Sequence, residues 1–120
     1  MTRQGYDTEN LIKTISEFRS RHPHLKVILE PGSAFTWRTG DLAASVVDIV
    51  ENDGISTAIL DVSFACHMPD TLEMPYRPDV LESVDKEQSN GRLYRLGGNS
   101  CLSGDFMGDY YFPEDLKIGD

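Results

Sequence analysis

The chain has 120 residues, with 11 Lys and Arg against 20 Asp and Glu, a formal net charge of −9 and 39% apolar residues. That is one domain's worth of polypeptide, with enough apolar side chains for a modest core. The basic residues are scattered, which argues against nucleic acid, whose phosphates need clustered Lys and Arg, and no apolar run is long enough to span a membrane.

The opening stretch MTRQGYDTEN is polar and has no apolar leader core, so no secretory signal is expected. Residues 8–22 then read as an amphipathic helix. Leu11, Ile12, Ile15 and Phe18 recur at helical spacing, with Lys13, Glu17, Arg19 and Arg21 on the remaining face. Asp7 or Thr8 suits the N-cap and Pro23 stops the helix. LKVILE (25–30) follows as a short apolar run, the pattern of a strand buried on both faces.

Residues 41–63 are two β-rich runs separated by Asn52-Asp53-Gly54, where Asp-Gly suits a tight antiparallel hairpin. Residues 67–80 hold three prolines and read as an irregular connection. EQSNG (87–91) is a turn and RLYRLGG (92–98) a short strand. LGGNSCLSGDFMGDYYF (96–112) then sets Cys101 and Asp105 in a glycine- and serine-rich stretch that reads as a mobile loop, and LKIGD closes the chain as a strand-entry turn. One α/β unit thus gives way near residue 36 to an antiparallel β region. A single helix and buried strand leave apolar faces that need neighbours, so the chain looks cut from something larger.

Two cysteines are too few for a disulfide framework, which points to a reduced, cytoplasmic setting. Cys66 beside His67 has no second cluster at metal spacing, so Cys66 reads as a packed thiol and no metal site is expected. The acidic surface suits a polycationic ligand, or serves only solubility.

Three segments carry a resemblance: ILEPGSAF (28–35), ILDVSFACHMPDTLEMPYRP (59–78) and LGGNSCLSGDFMGDY (96–110). In this order they closely resemble the carboxynorspermidine/carboxyspermidine decarboxylase family, among the fold-type III pyridoxal-phosphate-dependent decarboxylases. The likeness extends over essentially the whole chain. It implies a fold that is α/β and then mostly β. Residues 1–36 would be the last helix and strand of a (β/α)8 barrel, and 37–120 most of an antiparallel C-terminal β domain, the whole incomplete at both ends. It also implies a homodimer.

The resemblance implies roles for particular residues. Glu30 would contact the pyridine nitrogen of pyridoxal phosphate and keep it protonated, making the ring a deeper electron sink. From position alone it reads as a surface residue capping a strand. Gly32 and Ser33 would let the backbone approach the phosphate; some relatives carry arginine where Ser33 stands, and a plain turn is the alternative. Cys101 would reach into the partner subunit's active site, near the substrate α-carbon, as a proton-exchanging group. Asp105 would bind the distal ammonium groups of a polycationic small-molecule substrate. The alternative for these two is a structural thiol and a turn aspartate. Glu73, Tyr76 and Arg77 are further substrate contacts or, equally, loop packing. Tyr110 and Tyr111 pack the β domain or the dimer interface.

The family's Schiff-base lysine matches none of Lys13, Lys26, Lys86 or Lys117, so the chain is read as a piece of the decarboxylase, inactive alone. The competing reading is a non-catalytic β-domain module that associates with another chain. On either reading the exposed apolar faces of the first 36 residues favour self-association.

Overall fold

The computed structural model describes residues 5–74 and 76–120. Residues 1–4, where the polar opening stretch begins, and Pro75, one of the three prolines of 67–80, lie outside the described residues. The chain divides into two compact units after Leu42.

In the first unit, α1 spans Thr8–Arg21. The Asp7 carboxylate caps it by accepting from the Asn10 amide at 2.8 Å. Glu9 in the first turn and Arg19 and Arg21 in the last complement the helix dipole. No residue of α1 is buried; of its apolar stripe Leu11 and Ile15 are partly covered and Ile12 and Phe18 stay exposed. A short helix α2, Gly32–Thr36, follows.

The strand expected at 25–30 does not form. These residues are irregular, and Ile28 stays 69% exposed. An apolar run becomes a strand only when a neighbour pairs with its backbone groups, and no described residue does so here.

The second unit, Ala43–Asp120, is built on a four-stranded sheet of order β1-β2-β3-β4: β1 Val46–Asn52, β2 Ile55–Leu60, β3 Leu93–Gly97 and β4 Phe106–Tyr111. The β1–β2 hairpin closes as the sequence indicates. Asn52 pairs with Ile55, and Asp53 and Gly54 both take positive φ, 50° and 75°, as a two-residue type I′ turn requires.

The sheet is mixed, not antiparallel. β2 and β3 run parallel, with Thr57 opposite Arg95, Ala58 opposite Leu96 and Ile59 opposite Gly97. A parallel pair needs a long crossover, and residues 61–92 supply it. That crossover is also more ordered than its prolines suggest, since it carries α3, Phe64–His67, α4, Asp70–Glu73, and a 3-10 turn at Lys86–Gln88. The second half of the stretch read as a mobile loop is β4, antiparallel to β3 from Leu93–Tyr111 to Gly97–Phe106.

Val46, Ala58, Val62, Phe64, Leu96, Tyr110 and Phe112 form the core, with Ile49, Leu60, Met68, Val80, Tyr94, Met107 and Leu116 packed against it. Tyr110 ties the crossover to the sheet. Its buried hydroxyl donates to the Pro78 carbonyl at 2.9 Å, and the Arg77 guanidinium lies 4.1 Å from its ring centre. At the C-terminal turn the Val46 amide donates to the Asp120 carbonyl and the Gly119 amide to the Val46 carbonyl, at 2.9 and 2.8 Å.

Two expectations can be measured. With Ile28 and the 77% exposed Phe35 uncovered in the first unit, the purified chain should run as dimers or larger species in size-exclusion chromatography. A compact monomer would contradict this. Tyr110→Phe strips the Pro78 carbonyl of its buried donor and should cost about 1–2 kcal/mol in urea unfolding.

Candidate functional site

The residues that carry chemistry gather on the loop between β3 and β4, where Cys101 and Asp105 sit, and on the crossover that faces it. The loop is anchored at its entry: the Gly98 amide donates to the Asp105 carbonyl at 2.7 Å and the Asn99 amide to the Val62 carbonyl at 2.9 Å. Within it, the Asp105 amide donates to the Leu102 carbonyl at 3.1 Å. Cys101 is an exposed free thiol on this hydrogen-bonded turn.

Asp105 is 2% exposed, which corrects the reading of this stretch as uniformly mobile. One carboxylate oxygen, Oδ1, accepts from the Ala65 amide in the first turn of α3 at 3.0 Å. The other, Oδ2, accepts from the Ser100 hydroxyl at 2.6 Å, and Ser100 Oγ in turn accepts from the Leu102 amide at 3.3 Å. Gly98 makes this possible, because a Cβ there would land on the Asp105 carboxylate. Burial alone pushes the Asp105 carboxyl up. Hydrogen bonds from the Ser100 hydroxyl and the Ala65 amide, with the Ser63 hydroxyl and Phe64 amide adding to them, outweigh it and hold the group below its ordinary value. Ser63 Oγ is itself buried and makes no hydrogen bond among the described residues, so the Ser100 hydroxyl and the Ala65 amide are the partners with bonding geometry.

The other expected site residues are described each within its own unit. Glu30 is exposed and ends no strand. Gly32 and Ser33 lie exposed in the first turn of α2, where a Cβ on Gly32 would meet nothing within 4 Å. Two open clefts lie along α1, lined by Ser16, Glu17, Arg19, Ser20 and neighbouring residues. A phosphorylated pyridine needs a cradle for its phosphate and a lysine for its aldehyde. Glu30, Gly32 and Ser33 do not make up such a site by themselves.

Glu73 ends α4 and is exposed. Tyr76 is half exposed; burial raises its phenol above the usual value, and the charge and hydrogen bond of Asp70 raise it further. Arg77 is occupied, donating to the Asp109 carbonyl at 2.7 Å while covering Tyr110. Cys66 is exposed, not packed, because the one-turn helix α3 turns Phe64 into the core instead. Sequence reasoning missed Gly98, Ser100 and the Ala65 amide. Ser100 and Asp105 bracket a glycine-containing turn, a signal that was available, but Ala65 is forty residues from Asp105 and offers none.

The architecture and this loop define a class. The family model described as "Pyridoxal-dependent decarboxylase, C-terminal sheet domain" matches residues 7–120, and the chain belongs to that family. It is 54% identical over 120 residues to a carboxyaminopropylagmatine decarboxylase of Synechocystis sp., covering 100% of this chain and 31% of the relative. It is 46% identical over 130 residues to a carboxynorspermidine/carboxyspermidine decarboxylase of Campylobacter jejuni, covering 100% and 34%. The crystal structure of carboxynorspermidine decarboxylase complexed with norspermidine, from Campylobacter jejuni, superimposes with a TM-score of 0.73 at 45% identity, over 99% of this chain and 35% of that one. The chain therefore spans about a third of the length of the relatives it matches.

The lowered Asp105 value fixes the sign of a pH dependence. A carboxyl whose folded value is depressed stabilises the fold above the ordinary value of 3.8, and that stability is lost as pH falls through the lower folded value. Asp105→Asn should therefore cost about 2 kcal/mol in urea unfolding at pH 7, from weakened charged hydrogen bonds. The difference from the parent should hold down to about pH 4 and shrink below it.

Proposed function

We propose that the chain works as the sheet domain of a pyridoxal-phosphate-dependent decarboxylase in polyamine biosynthesis. That enzyme removes the α-carboxylate of carboxynorspermidine or carboxyspermidine as CO2, leaving norspermidine or spermidine. The observation that carries this reading is the 46% identity to the Campylobacter jejuni enzyme over the whole of this chain, together with the TM-score of 0.73 to its norspermidine complex. The same whole-length match weighs against a non-catalytic docking module.

Bound in the complete enzyme, pyridoxal phosphate supplies the electron sink for decarboxylation. In that setting Glu30 would meet its pyridine nitrogen and Gly32 and Ser33 its phosphate, all three being exposed and open to such a contact. The loop after β3 adds a second contribution. There Cys101 presents an exposed thiol to a substrate from outside the chain, holding or delivering a proton at the α-carbon. In a cytoplasmic homodimer that substrate would sit in the partner subunit's active site. The substrate is polycationic, which suits a chain of net charge −9. Exposed Glu73 and half-exposed Tyr76 are available to meet its ammonium groups, whereas Arg77 is committed to Tyr110 and Asp109.

A second reading of the substrate has its own support. The 54% identity to the Synechocystis sp. relative favours carboxyaminopropylagmatine over the carboxylated triamines.

These residues can be exchanged for the matching third of the Campylobacter jejuni decarboxylase. The chimera should release CO2 from carboxynorspermidine when loaded with pyridoxal phosphate, and Cys101→Ala should lower its kcat about 100-fold or more. Faster turnover of carboxyaminopropylagmatine would select the second substrate. A chimera that folds yet decarboxylates none of these compounds, or an isolated chain that does so by itself, would overturn the proposal.

A further inference from the structure

Asp105 is the most deeply committed charged group on the loop. Its carboxylate takes one hydrogen bond from the crossover, at the Ala65 amide, and one from the loop, at Ser100 next to Cys101. Its own carbonyl receives the Gly98 amide at the loop's entry, and the Asn99 amide fastens the same stretch to Val62 beside α3. Ser100 passes the constraint on, since its hydroxyl oxygen also receives the Leu102 amide on the far side of Cys101. The thiol therefore sits between two residues that are both tied, through one hydroxyl, to a buried carboxylate. With both oxygens engaged and the group 2% exposed, Asp105 is poorly placed to receive an ammonium ion.

We propose that Asp105 is a positioning residue rather than a substrate ligand: it clamps residues 98–102 to α3 so that the Cys101 thiol is presented in one place. Gly98 and Ser100 belong to the same device. Gly98 leaves the space that the carboxylate fills, and Ser100 transmits its hold to the turn. The consequence for catalysis rests on the role proposed for Cys101, while the clamp itself does not.

Hydrogen exchange read by mass spectrometry tests the clamp without substrate or cofactor. Asp105→Ala should speed exchange in peptides covering 98–105 by about 10- to 100-fold, with the β1–β2 hairpin, 46–60, unchanged. Gly98→Ala, which evicts the carboxylate, and Ser100→Ala, which cuts its link to the turn, should produce the same local change. Both leave Asp105 in place should Asp105→Ala fail to fold. Exchange that rises in the loop and the hairpin together would reduce Asp105 to a general stabiliser, and no change in the loop would remove the clamp; either result overturns the proposal.

In the chimera, Asp105→Asn should lower kcat while KM stays within about twofold, and in a Cys101→Ala background it should have little further effect. A rise in KM at unchanged kcat would make Asp105 a substrate ligand and overturn the assignment. Loss of decarboxylation by every chimera would end the decarboxylase reading and leave the exchange result standing.

Discussion

Three residue pairs, Thr57–Arg95, Ala58–Leu96 and Ile59–Gly97, join the two halves of the sheet. Without this short parallel ladder the second unit would be two antiparallel pairs, each too small to persist alone in water. The ladder is crowded around its last rung. A Cβ on Gly97 would stand 3.2 Å from both Ile59 Cδ1 and Thr57 Cγ2 and 3.3 Å from Phe106 Cε1. Glycine there lets β2 and β4 close on β3 from both sides. Ala58, fully buried between Ile49 and Leu96, shows the same demand for small groups at the centre of the sheet.

Where the ladder ends, the candidate site begins. β3 stops at Gly97, and the next residue gives up its side chain to admit a carboxylate. A buried charge with too few partners would destabilise the fold, so its tolerance depends on the Ala65 amide and the Ser100 hydroxyl arriving together. Packing and chemistry meet at this point. The helix that lends the amide is held by Phe64 in the core, and the hydroxyl belongs to the residue before the exposed thiol. The same economy appears across β4, where Arg77 is spent on Tyr110 and Asp109, and Arg95 grips the Asp109 carboxylate at 2.8 and 3.1 Å.

What the sequence revealed follows the range over which each signal acts. The Asp7 cap and the Asp53-Gly54 turn are local, written in neighbouring residues, and both stand where they were expected. β4 was hidden because Gly108 and Asp109 interrupt its apolar alternation. The parallel pairing of β2 with β3 has no local signature, and a chain dominated by one hairpin suggested antiparallel neighbours. The run 25–30 has the apolar pattern of a buried strand, yet Leu25, Ile28 and Leu29 stay exposed and no described residue pairs with it. This is as expected of a segment whose neighbours are not among the described residues. The family was legible in three motifs because they keep residue types in order, and the match to residues 7–120 bears it out. The geometry of Asp105 was not legible, because its partner amide belongs to a distant turn whose side chain carries no sign of the contact.

That distance bears on the order of events when the chain folds. The β1–β2 hairpin closes over two residues and can form in microseconds. The bond from Ala65 to Asp105 encloses forty residues, and the one from Tyr110 to Pro78 thirty-two, so each loses far more chain entropy before any contact rewards it. The turn around Cys101 can close on itself early through Ser100, Leu102 and Asp105, but its fastening to α3 waits until the long crossover has docked.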